Sequence, residues 1–145
     1  MIKSPLGLAP LLLAMSCAQP APDSAIEVRD AWARATAPGQ SSGAVYATIA
    51  NSGADDRLTG VATNRAAMAM VHATETVNGV SRMRMAGDVA IPAGSTVALA
   101  PGGTHVMLEG LKAPLMAGEQ LSLELRFARS GSRTVVVSVV APGSR

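Results

Sequence analysis

The chain has 145 residues, enough for one domain and hardly for two. Twelve Lys+Arg nearly balance ten Asp+Glu, for a formal net charge of +2, and only three aromatics are present; neither a basic run nor a base-stacking surface exists for nucleic-acid binding. The single cysteine, Cys17, excludes an internal disulfide and Cys-rich zinc or iron–sulfur sites, and 48% hydrophobic content argues against disorder.

The chain opens as an export signal. Lys3 gives a short positive start, and Leu6 to Met15 is an apolar run too short to span a bilayer. Ala14-Met15-Ser16-Cys17 resembles a bacterial lipobox, which makes residues 1–17 a signal peptide of the lipoprotein type with Cys17 lipidated. An ordinary cut after Ser16 or Ala18 is the competing reading. Residues 18–25 read as a short tether. The remaining domain, residues 26–141, would then work in an oxidising compartment without a usable thiol.

From there the pattern is short β-runs broken by turn signals. Runs are predicted at Ile26–Trp32, Gly43–Ala50 and Arg57–Thr63, the last following a polar turn pair, Asp55-Asp56. Ala67–Thr76 and Val80–Met85 flank Asn78-Gly79, the strongest hairpin signal in the chain. Val89–Ile91, Ser95–Ala100 and His105–Leu108 follow. Pro114 limits Gly110–Ala117 to irregular chain or one helical turn. Leu121–Phe127 alternates cleanly, and Thr134–Val140 is a Val-rich last strand. Many short strands at regular spacing and no sustained helical period indicate an all-β Greek-key sandwich of one domain.

The catalytic inventory is thin. There is no GxSxG, Walker A loop, HExxH or EF-hand loop, and the carboxylates are scattered, so no enzyme is read here. What stands out is sulfur beside imidazole. Beyond the signal the chain keeps six methionines, Met68, Met70, Met83, Met85, Met107 and Met116, with both histidines among them. His105 and Met107 are two residues apart and share a strand face. A two-residue Asn78-Gly79 turn sets Val77 opposite Val80, hence His72 opposite Met85 and Met83 opposite Thr74. Met83 is then diagonal to His72 on the same face. Two imidazoles with thioethers are a soft, neutral ligand set that suits Cu(I) better than zinc or calcium. Methionine on a strand is most often packing, which is the competing reading for each one and the reading given to Met68 and Met70.

The spacing His72-X10-Met83-X21-His105-X-Met107 resembles the copper-binding signature of the periplasmic copper chaperone family PCu(A)C. DAWAR at Asp30–Arg34, SGAVYATIAN at Ser42–Asn51, DRLTGV at Asp56–Val61 and PGGTHVMLEGLKAPL at Pro101–Leu115 extend the resemblance over residues 27–140. It implies a cupredoxin-like β-sandwich holding one Cu(I) through His72, Met83, His105 and Met107, in the periplasm. It also implies delivery to the CuA centre of cytochrome c oxidase alongside Sco-type copper proteins. Two departures stand: Ala73 replaces a methionine that often follows the first histidine, and the chain ends in APGSR, without the His/Met-rich tail of some members. Met85 is the ambiguous residue, an accessory thioether or a packing contact.

Two other classes compete. A blue-copper electron carrier needs a cysteine thiolate, and Cys17 lies upstream of the fold. A metal-free exported scaffold or adhesion module requires only the sandwich.

Overall fold

The computed structural model describes residues 25–145; the signal segment, Cys17 and most of the tether lie outside the described residues. Among the described residues there are ten strands and no helix. They are β1 (Ile26–Arg34), β2 (Ser42–Asn51), β3 (Asp56–Ala62), β4 (Ala66–Val77), β5 (Val80–Met85), β6 (Val89–Ile91), β7 (Thr96–Leu99), β8 (His105–Leu111), β9 (Gln120–Phe127) and β10 (Gly131–Val140). Each predicted run is a strand, with its ends exact or moved by at most three residues. Gly110–Ala117 is irregular from Lys112 on, one of its two expected forms, but its first two residues are strand. Instead of a helical turn, β8 runs on to Leu111, with Gly110 at φ 67°. A Cβ on Gly110 would lie 2.8 Å from the Cβ of Ala67, so only glycine lets β8 pass β4 here.

The strands join in one sheet in the order β5-β4-β8-β2-β1-β10-β9-β3-β6, with β7 pairing β2 beyond the end of β8. The parallel β1–β10 pair links the two halves, and the sheet folds over so that both halves bury one face. Alternation decides which side chains go in. Val71, Val106, Leu108 and Val45 from one half meet Leu58, Leu123, Leu125 and Phe127 from the other in a single core. The result is a single all-β, cupredoxin-like domain, formed by one continuous sheet rather than two separate ones.

Two irregularities matter. Between Arg29 and Trp32 the β1–β2 register slips by one residue, and Asp30 takes φ 51°. This bulge reverses the inward parity of β1: Ile26 is buried before it and Ala33 after it, so Trp32 turns to the outer face. Asp56 is not the polar turn residue of the sequence reading. It opens β3 with only 5% exposure, and its carboxylate accepts from the amides of Arg57, Arg129 and Ser130 and from Ser130 Oγ. Burial alone would raise this carboxyl; those hydrogen bonds outweigh it and hold Asp56 below the usual carboxylate range.

Candidate metal centre

The hairpin forms with the predicted register. Asn78 and Gly79 have φ of 52° and 77°, the left-handed pair a two-residue turn requires. Val77 pairs with Val80, Thr74 with Met83 and His72 with Met85. On its other edge β4 pairs with β8, which sets His72 opposite His105 and Met70 opposite Met107. Core residues Val71 and Val106 point inward, so Met70, His72, Thr74, Met83, Met85, His105 and Met107 occupy the outer face.

The two imidazoles are neighbours, with ring centroids 6.3 Å apart in an edge-on arrangement. With metal–nitrogen bonds of about 2 Å, two imidazoles on one ion have centroids roughly 5–6 Å apart, so a small closure suffices. Their surroundings differ. His105 is only 4% exposed, and its Nδ1 lies 3.0 Å from the carbonyl oxygen of Gly103. A carbonyl only accepts, so Nδ1 carries the hydrogen and Nε2 keeps a free lone pair. The same carbonyl accepts the amide of Thr74 at 3.2 Å, tying the β7–β8 loop to β4 beside His72. His72 is half-buried, and its Nδ1 is sealed from solvent with no hydrogen-bond partner. An orphaned buried nitrogen is costly unless something fills its valence.

Tyr46 closes the far side of His105, with ring centroids 6.1 Å apart, and Trp32 stacks at 4.6 Å on Tyr46. The Arg34 guanidinium covers both rings, 5.6 Å from the Trp32 centroid and 5.9 Å from that of Tyr46. A row Trp32–Tyr46–His105–His72–Met85 thus crosses five strands. Sequence reasoning missed its aromatic half, because the β1 bulge that turns Trp32 outward has no clear sequence signal. The Gly103 carbonyl was missed as well; its trace is the PGG turn just before His105.

Thioethers surround the pair. Met107 is half-buried beside His105 on β8, whereas Met83 and Met85 are 54% and 67% exposed on β5. Met116 lies on the β8–β9 connection and belongs to no strand of this face. Among the described residues no three His, Cys, Asp or Glu side chains form a metal-binding group. The donors gathered around the histidines are sulfur, and the set fits a soft ion rather than calcium or a structural zinc.

Fold and donor set together define a soft-metal-binding β-domain. The model of the LpqE-like family matches residues 26–139, and the chain belongs to that family. It is 41% identical to "Putative lipoprotein Lxx21020" of Leifsonia xyli subsp. xyli over 79% of this chain and 69% of the relative. The copper-bound PCuAC domain from PmoF2 superposes with a TM-score of 0.69 at 27% identity, covering 81% of this chain and 94% of that domain. The solution structure of CuI-DR1885 from Deinococcus radiodurans gives a TM-score of 0.62 at 32% identity, covering 86% and 83%. The PCu(A)C resemblance read from the sequence is therefore borne out.

Proposed function

We propose that this protein is an exported copper chaperone that binds one Cu(I) through His72, Met83, His105 and Met107. The observation that carries the reading is the His72–His105 pair. One imidazole is tautomer-locked by Gly103, the other has a buried unpartnered nitrogen, and thioethers flank both. Cu(I) accepts this neutral N2S2 set without a demanding geometry. The copper-bound and CuI relatives support the same cargo.

The division of burial gives a transfer mechanism. His105 is held by packing and by Gly103, while Met83 is 54% exposed. An incoming thiolate from an acceptor displaces the exposed thioether first and the imidazoles last. The ion stays reduced throughout, because ligand exchange moves no electrons. The acceptor is the CuA centre of cytochrome c oxidase or its Sco-type assembly proteins, and the family resemblance supports this delivery. The lipoprotein name of the relative supports a periplasmic protein anchored to the membrane through lipid on Cys17.

The test is titration of the mature protein with Cu(I) against a chromophoric Cu(I) chelator. One tightly held, colourless ion per chain is expected. Failure to compete with the chelator would leave the metal-free scaffold.

A further inference from the structure

We infer that Met70 and Met85 form a second, weaker Cu(I) subsite beside the four-residue centre, on which the ion lands before His72 passes it inward. The inference rests on the proposed function for the identity of the ion. Its own support is separate. Met70 and Met85 line one cleft of about 210 Å³, between β4, the β5–β6 turn and Thr59-Gly60 of β3. Neither residue belongs to the four-ligand set.

Both residues touch that set through the sheet register. Met85 is the cross-strand partner of His72, and Met70 is the partner of Met107. Met70 also precedes His72 by two residues on the same face of β4. Facing side chains on paired strands have Cβ atoms about 5 Å apart, within the span of a thioether. His72 therefore has Met83 diagonal to it on β5 and Met85 directly opposite. It neighbours Met85 on β5 and Met70 along β4, lies on the diagonal between Met83 and Met107, and carries the unpartnered Nδ1.

Packing does not account for Met85. It is 67% exposed, more than any other large apolar side chain exposed on this face. Core-filling methionines bury their sulfur. The cleft's carboxylate, Asp88, is occupied by Arg57, whose Nη1 is 3.3 Å from Asp88 Oδ2. The thioethers are the soft donors of this cleft, and they select a soft ion. Met68 is also exposed on β4, but it pairs with Glu109 and does not line the cleft.

Protein labelled with 13C in the methionine methyls is titrated with Cu(I), supplied as its acetonitrile complex without oxygen. The first equivalent should move the Met83 and Met107 resonances, and the second those of Met70 and Met85. In the double variant Met70→Leu/Met85→Leu, whose volumes are conserved, uptake should fall from two ions per chain to one. The first-equivalent shifts should stay as in the wild type, which also reports that the variant is folded. Saturation of the wild type at one ion, or a second ion that survives in the double variant, overturns the subsite. Unmoved Met83 and Met107 at the first equivalent would instead overturn the four-residue assignment.

Discussion

His72 and His105 face each other across β4 and β8, with ring centroids 6.3 Å apart. One carbonyl, that of Gly103, braces both, through the ring of His105 and through the amide of Thr74 two residues after His72. The imidazole half of the proposed site is therefore preorganised by the backbone. The thioether half stands on exposed β5 and at the half-buried Met107.

The Gly103 contact fixes a tautomer. His105 should show a protonated Nδ1 and a bare Nε2 in long-range 1H–15N spectra of the apo-protein, and Cu(I) should shift Nε2. An apo-protein with Nε2 protonated would contradict the ligand role given to that nitrogen.

Met83 and Met85 are separable. Met83→Leu and Met107→Leu should each weaken the tight Cu(I) site about tenfold or more, with about 1.4 kcal/mol for each factor of ten. Met85→Leu should leave that first affinity within about twofold. Chelator competition on the three variants measures this; equal losses at Met83 and Met85 would remove the distinction.

Asp56 anchors the β3 and β9–β10 ends through four accepted hydrogen bonds. Asp56→Ala removes the acceptor of three part-buried amide hydrogen bonds and should cost about 3 kcal/mol in urea unfolding. The wild-type carboxyl lies below its unfolded value near 3.9, so its contribution is complete above that pH. It is lost as pH falls through the folded value. Acid unfolding should therefore be less steep in Asp56→Asn, and identical acid limbs would contradict the anchor.

Gly110→Ala should destabilise the domain by about 2 kcal/mol, since alanine must adopt φ 67° and crowd Ala67. Thermal unfolding measures it. The same change spreads β8 from β4 three residues beyond Met107, so Cu(I) affinity should fall with it.

Much of this was legible in the sequence. The alternation of Leu121–Phe127 placed one core face correctly, and the Asn78-Gly79 turn alone set the register from Val77–Val80 back to His72–Met85. A two-residue turn leaves no freedom in the rungs that follow it, which explains that success. What local pattern could not supply was long-range pairing. Nothing near His72 says that β8 lies beside β4, or that Tyr46 lies beside His105. The anchoring role of Asp56 was hidden for the same reason, since two of its three partner residues, Arg129 and Ser130, are more than seventy positions away. The Asp30 bulge shifts the apolar phase of β1 from Ile26 and Val28 to Ala31 and Ala33, but small alanines either side of Trp32 mask that shift in the pattern.

The most direct measurement is X-ray absorption at the copper edge on protein loaded with one equivalent of Cu(I). Two imidazole nitrogens and two thioether sulfurs around a single ion are predicted, with sulfur lost in the Met83→Leu/Met107→Leu variant. A first shell of nitrogen and oxygen alone, or one unchanged in that variant, would contradict the account.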